Sequence, residues 1–115
     1  MALPNIHKYP SEKLTPEQIT ALETSAKRAR ITALTMVSAA KSGHPGGAFS
    51  SMEMFMTVYG VADLTPENCS TTARDYVVIS HGHTSAGVYA ALAEWGFVDR
   101  DEAMSHFRQC GSVFQ

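Results

Sequence analysis

The amino-acid sequence predicts an α/β fold that is incomplete within its 115 residues: the helix-rich first portion of a domain built on a parallel sheet. Several stretches carry apolar residues at helical spacing between helix start and stop signals. One short run, Tyr76–Ile79, is apolar and rich in β-branched residues, which predicts a strand buried on both faces, as in a parallel sheet. Because one strand cannot form a sheet, we expect further strands to come from other polypeptide.

Composition predicts an ordinary globular domain, with 44% hydrophobic and 17% charged residues. The net charge of -2 argues against nucleic-acid or acidic-membrane binding, and no apolar run approaches the length of a membrane span. The polar segment 1–13 contains no signal-peptide core and is predicted to be a flexible tail before a folded region over 14–115. Cys69 and Cys110 are predicted to be free thiols, so we expect a cytoplasmic protein.

The first helix has clear signals at both ends. Thr15 and Gln18 are spaced as a capping box, Pro16 suits the first helical position, and Gly43 is the predicted stop. A short basic cluster on this helix has two interpretations, a solvent-exposed face, which we prefer, or a phosphate site: Lys27, Arg28 and Arg30.

A second helix is predicted to begin at a capping box formed by Ser50 and Glu53 and to end at Gly60. Its apolar side consists of Met52, Phe55, Met56 and Tyr59. Its methionines predict an adaptable core or subunit interface rather than a soft-metal site, because no Cys or His accompanies them at ligand spacing. The following residues, 61–73, are predicted to be a connecting loop.

Two further helices are predicted after the strand. One covers 85–95, ends at Gly96, and has an apolar face made of Val88, Tyr89, Leu92 and Trp95. The other is capped by Asp99, with Glu102 at capping-box spacing, and is predicted to end at Gly111.

Two histidine-containing loops, 42–46 and 80–85, are the strongest functional signal. The first follows the long helix, and the second joins the predicted strand to the next helix. Glycines beside the imidazoles let the backbone approach a ligand, and the start of a helix favours anions. The pair of loops therefore predicts an anion-binding active site.

Each loop also has simpler interpretations. Pro45 holds His44 in an extended conformation that projects the imidazole, although a lone histidine in a glycine-rich turn is weak evidence of function. His83 can donate a hydrogen bond to a phosphate oxygen. Metal binding by His81 and His83 is a further alternative, but alternating residues of an extended segment point apart and no third ligand is evident. A purely structural loop is the remaining alternative.

Four motifs, in this order, resemble transketolases over roughly 15–115. They are Lys-Ser-Gly-His-Pro-Gly-Gly at 41–47, Arg-Asp-Tyr-Val-Val-Ile-Ser at 74–80, Gly-His-Thr-Ser at 82–85 with Tyr89, and Phe-Arg-Gln at 107–109. The resemblance implies the beginning of that family's thiamine-diphosphate-binding domain. It also implies transfer of a two-carbon ketol unit between sugar phosphates, in pentose phosphate and carbohydrate metabolism, with thiamine diphosphate and a divalent metal, Mg²⁺ or Ca²⁺.

The resemblance also assigns residue roles. His44 corresponds to the catalytic histidine that faces the substrate and stabilises charge near the reacting carbons. His83 corresponds to the histidine on the cofactor's diphosphate side, and Gly82 and Ser85 are assigned to cofactor binding with it. His81 departs from the asparagine or lysine often found at that position, which puts the substrate range in question.

Several family features are missing from residues 1–115. They are the metal-binding Gly-Asp-Gly with its later asparagine, a further active-site histidine, and the glutamate of the pyrimidine-binding domain, so no metal ligand is assigned. We expect an N-terminal segment or subunit of a transketolase, inactive alone. Further polypeptide would complete the cofactor domain and supply the pyrimidine-binding domain within an oligomer. The alternatives are a non-catalytic interaction or regulatory subunit, or a related thiamine enzyme that makes deoxyxylulose phosphate or dihydroxyacetone.

Overall fold

A computed structural model describes residues 3–9 and 12–115, and within these ranges the chain folds into helices joined by loops. The α-helices are α1 (Pro16–Ala40), α2 (Pro45–Ser50), α3 (Met52–Val61), α4 (Ser85–Glu94) and α5 (Arg100–His106), with a 3₁₀ turn at Gly82–Thr84 before α4. Helix α1 packs against all four other helices and forms the centre of the fold. None of the helices in these ranges is long and apolar enough to cross a bilayer.

The predicted start of α1 is confirmed. Gln18 N donates to Thr15 Oγ1 at 3.2 Å, and Thr15 N donates to the Gln18 side chain at 2.8 Å, which completes the capping box. The helix ends earlier than predicted, because Lys41 takes the left-handed cap conformation with φ 52°. The core side of α1 is made of small residues and one methionine: Ala26, Ala29, Ala33 and Met36.

The second predicted helix is two helices. Pro45 begins α2 five residues before the expected start, because its fixed φ suits the first helical position. The predicted capping box is wrong: Ser50 Oγ donates to Gly47 O at 3.3 Å, and Glu53 pairs with Arg30 at 2.6 Å. That guanidinium lowers the pKa of Glu53. The predicted end is one residue early, but the apolar side is confirmed as buried: Met52, Phe55, Met56 and Tyr59.

The basic cluster on α1 is mainly structural. Arg28 donates to the Glu94 carboxylate of α4 at 2.6 Å, and Arg30 donates to Phe49 O at 2.9 Å as well as to Glu53. Both interpretations from sequence are therefore wrong for these two arginines, because their partners lie on helices that are distant in sequence. Lys27 is exposed.

The predicted strand is not formed in the described part of the chain. Residues 75–80 are extended, but no neighbouring segment pairs with them. Tyr76 and Val78 are 62% and 85% exposed, whereas Val77 and Ile79 pack against the core. Burial on both faces is therefore wrong within this chain, since a strand needs a paired neighbour to satisfy its backbone groups. The helix-rich character is confirmed, and the parallel sheet is not.

The C-terminal helices follow the predicted starts. Glu102 N donates to the Asp99 carboxylate at 2.8 Å, which confirms that cap, and Gly96 has φ 81° after α4. Helix α5 ends at His106 rather than at Gly111, because the chain turns back through a hydrogen bond from Arg108 N to Phe114 O at 2.9 Å. The predicted apolar face of α4 is only half-buried, and its fully buried residues are smaller: Ala86, Gly87, Ala90 and Ala91.

Part of the segment predicted to be a flexible tail lies against α3. Ile6 is buried, His7 Nδ1 donates to Ala62 O at 2.9 Å, and Lys8 pairs with Asp63 at 3.0 Å. Residues 1, 2, 10 and 11 of that segment lie outside the described residues.

Candidate active site

The two histidine loops meet in one cleft of about 290 Å³. Its walls come from the α1–α2 connection, the turn before α4, and the segment after α5. The lining residues are Gly43, His44, Gly82, His83, Ser85, Ala86, Phe107, Arg108 and Gln115. The fold therefore brings together all four site residues that the sequence singled out, although the two loops are about forty residues apart in the chain.

His44 is held at the entrance of α2. It is the N-cap residue, with φ −130° and ψ 84°, and Pro45 follows it at the first helical position. Gly43 precedes it with φ 141°, a conformation that strains any other residue. A Cβ on Gly43 would also lie 2.8 Å from Val37 Cγ2 and 3.3 Å from Phe107 Cε1. Only glycine therefore allows this close turn, which leaves the His44 imidazole exposed.

His83 lies in the 3₁₀ turn before α4, and this turn is fixed by Thr84. Thr84 is fully buried, and both its backbone N and its Oγ1 donate to His81 O, at 3.0 and 2.7 Å. Its methyl group lies under Gly47, where an added Cβ would be 3.3 Å away. The turn is thus clamped beneath α2 while His83 stays exposed.

Close packing of α2 on α4 sets the distance between the two loops. A Cβ on Gly87 would lie 3.0 Å from Ala48 Cα, so the helices approach to backbone contact at this point. The ring centroids of His44 and His83 are 4.5 Å apart, in an edge-on arrangement with an interplanar angle of 64°. The His81 ring is farther from His83, at 6.4 Å.

The groups around the cleft favour an anion. The lining residues include two imidazoles and a guanidinium but no carboxylate. Gly82 and Ser85 lie at the start of α4, where unpaired backbone N–H groups and the helix dipole favour negative charge. In the described ranges, no group of three or more His, Cys, Asp or Glu side chains could hold a metal ion.

Comparison with known proteins identifies the family. The transketolase thiamine-diphosphate-binding domain matches residues 22–114. The chain belongs to the transketolase family. The transketolase of Kluyveromyces lactis is 36% identical over 83 residues, which cover 72% of this chain and 12% of that protein. The transketolase of Treponema pallidum is 36% identical over 100 residues, which cover 86% of this chain and 15% of that protein.

A shorter relative is also similar. One of the subunits of an apulose-4-phosphate transketolase from Phocaeicola vulgatus is 31% identical over 85 residues, covering 73% of this chain and 30% of that protein. The chain thus matches only a small part of the length of each of these transketolase-family relatives. No solved structure matches it at a significant level.

The cleft has features that fit the diphosphate of the family's cofactor. A Cβ on Gly82 would meet nothing within 4 Å, so a ligand can come close to the backbone there. The half-buried Ser85 hydroxyl has no hydrogen-bond partner among the described residues and can bond to a ligand. With the His83 ring, these groups offer the hydrogen-bond donors that a diphosphate needs.

Three cleft residues had no role assigned from sequence: Phe107, Arg108 and Gln115. The Phe-Arg-Gln motif was part of the resemblance, but nothing in its pattern shows that it faces the histidines. Its position depends on an aromatic cluster in which the Tyr89 ring lies 6.2 Å from Phe107 and 5.3 Å from Phe114. Such long-range packing has no local sequence signal beyond the aromatic residues themselves.

Proposed function

We propose that this chain forms the N-terminal part of a transketolase active site, which transfers a two-carbon ketol unit between sugar phosphates. The cofactors would be thiamine diphosphate and a divalent metal, Mg²⁺ or Ca²⁺. The observation that carries the proposal is the pairing of His44 and His83, 4.5 Å apart between ring centroids, in one cleft without carboxylates. A merely structural pair of loops has no need to expose two imidazoles to the same cleft.

The chain's own residues would bind and orient the reactants. Thiamine diphosphate, when bound, supplies stabilisation of the carbanion formed from the donor sugar. His83, Gly82 and Ser85 would hold the diphosphate by hydrogen bonds. His44 would donate a hydrogen bond to a substrate oxygen and stabilise the charge that develops there. The metal ligands would come from outside residues 1–115.

The rest of the site would be supplied by further polypeptide, either more of the same protein or a separate chain of an oligomer. The unpaired extended segment 75–80 supports this, because its backbone groups and the exposed Val78 suit coverage by another strand. The Phocaeicola vulgatus relative is named as one of several subunits, which supports an arrangement in separate chains. The completed enzyme is proposed to be cytoplasmic.

The test is His44→Ala in the complete protein, with His106→Ala as a matched control outside the cleft. We expect His44→Ala to lower kcat by about 100-fold, because a positioned hydrogen-bond donor or acid is lost. The affinity for thiamine diphosphate should stay within about threefold, since the lost interaction is made to the substrate. His106 is exposed at the end of α5, so its variant should match the parent.

The readouts are steady-state ketol transfer and calorimetric cofactor binding, with identification of the sugar products. Equal turnover of His44→Ala and the parent would reject the catalytic role. A complete protein that binds its partner chain but forms no ketol-transfer product would indicate a non-catalytic subunit. Deoxyxylulose phosphate or dihydroxyacetone as product would indicate one of the related thiamine enzymes.

A further inference from the structure

Arg108 lines the histidine cleft and is the arginine that the protein's own ion pairs do not use. Of the five arginines in the sequence, Arg28 and Arg100 pair with Glu94, and Arg30 pairs with Glu53. The fourth, Arg74, donates to two backbone carbonyls and lies over the Tyr76 ring. Within the described residues, the Arg108 guanidinium has neither an ion pair nor a hydrogen bond.

The backbone holds Arg108 in place from both sides. Its φ of 57° is in the left-handed region, which is uncommon for arginine, and its N–H donates to Phe114 O at 2.9 Å. The neighbouring Phe107 is buried beside Gly43 and Tyr89. The turn that carries Arg108 is therefore attached to the same elements that carry His44, so the guanidinium is fixed relative to the imidazoles by packing.

We propose that Arg108 binds a phosphoryl oxyanion of the ligand in this cleft and thereby sets the enzyme's preference for phosphorylated molecules. The proposal rests on the proposed function. A guanidinium matches phosphate oxygens with two parallel N–H donors, which neither imidazole can do. The phosphoryl group belongs either to the substrate sugar or to the cofactor's diphosphate, and the chemistry of binding is the same in both.

The experiment compares three variants of the complete protein. Arg108→Asn removes the charge with a residue that tolerates the left-handed conformation, so the turn is retained. Arg108→Lys keeps the charge without the planar fork. Lys27→Gln is the matched control, because it removes one positive charge from an exposed position on α1 outside the cleft. Equal thermal unfolding midpoints will show that the variants fold alike.

Two measurements separate the sources of the phosphoryl group. The first is the ratio of kcat/KM for a phosphorylated ketose to that for its unphosphorylated counterpart. The second is the Kd for thiamine diphosphate. A charge-assisted hydrogen bond predicts that Arg108→Asn changes one of them by about 10- to 100-fold, with Arg108→Lys between it and the parent. A lower ratio identifies the sugar phosphate, and weaker cofactor binding identifies the diphosphate. If Arg108→Asn and Lys27→Gln both match the parent, the proposal is wrong.

A failure of the proposed function gives a different result. If the complete protein transfers no ketol group, the binding of inorganic phosphate and pyrophosphate is measured by calorimetry. At least tenfold weaker binding by Arg108→Asn than by Lys27→Gln would support the phosphoryl site without the reaction. Equal binding by the two variants, or no binding by the parent, would overturn it.

Discussion

Gly60 shows how single residues set the close contacts of this fold. It lies within α3, under the Trp95 ring, where an added Cβ would be 2.5 Å from Trp95 Cζ2 and 2.9 Å from Ile6 Cδ1. The indole is held there by a hydrogen bond from Nε1 to Met56 O at 3.1 Å. The ring therefore cannot move aside without losing that bond. The sequence predicted Gly60 as a helix stop, whereas its role is to make room.

We expect Gly60→Ala to lower the free energy of unfolding by about 1–3 kcal/mol, as overpacking of a tight core typically does. Alanine's better helix propensity, worth about 1 kcal/mol, offsets only part of this cost. Gly46→Ala in α2 is the matched control, because a Cβ there meets nothing within 4 Å, and it should be neutral or stabilising. Urea unfolding of the two variants measures the difference. Equal stability of both would contradict the packing argument.

The residues whose roles could be predicted are those with a local signal. The caps at Thr15 and Asp99 follow from side chains that bond to backbone three residues away, and both are confirmed. Ser50 and Glu53 have the same spacing, but Pro45 starts a helix earlier and Arg30 offers Glu53 a charged partner. A local pattern cannot show such competition from a distant residue.

At the scale of elements, one buried carboxylate connects three helices. The Glu94 side chain at the end of α4 is fully buried and accepts hydrogen bonds from Arg28 of α1 and Arg100 of α5. Both arginines are about two-fifths exposed, so water reaches part of the network. Because α5 leads into the turn that carries Arg108, this network also supports one wall of the cleft.

We expect Glu94→Gln to reduce the free energy of unfolding by about 1–3 kcal/mol. Breaking a fully buried pair costs about 3–5 kcal/mol, and the partial exposure of the arginines lowers that figure. The matched control is Glu53→Gln, which removes an equally short pair at a side chain that is 62% exposed, and it should cost less than about 1 kcal/mol. Thermal unfolding with calorimetric enthalpies gives both values. A larger loss for Glu53→Gln would contradict the assignment.

The existence and order of most helices could be predicted from periodicity, but their division and contacts could not. The break between α2 and α3 falls within one apolar pattern, since α3 continues the same buried side. The meeting of the two histidine loops was predicted only as a shared function. Its geometry depends on the close approach of Gly87 to Ala48, which joins small residues far apart in sequence.

For the whole molecule, the extended segment 75–80 is the feature that this chain alone does not explain. Its pattern is that of a strand, and Val77 and Ile79 already pack against the helices. Its other side, with Tyr76 and Val78, faces solvent, and no strand pairs with it among the described residues. The sequence therefore predicted the type of element, and the missing partner is why the sheet is not formed.

Amide hydrogen exchange tests whether further polypeptide completes the sheet. In the isolated chain, amides 76–80 should exchange rapidly, because nothing within the described residues pairs with them. In the complete protein they should exchange at least about 100-fold more slowly, since strand pairing protects them. The polar loop 70–73 is the internal control, because its exposed residues lack a strand pattern and should exchange rapidly in both states.

The same comparison, made with thiamine diphosphate, tests whether the active site is shared. The cleft holds two imidazoles and the helix start but no metal ligands, so the isolated chain should bind the cofactor more weakly than micromolar by calorimetry. Micromolar affinity in the isolated chain would show that the cleft is sufficient by itself. Protection of 76–80 together with a gain of cofactor affinity is the expected result, because the polypeptide that pairs with the strand would also bring the missing metal ligands to the histidine cleft.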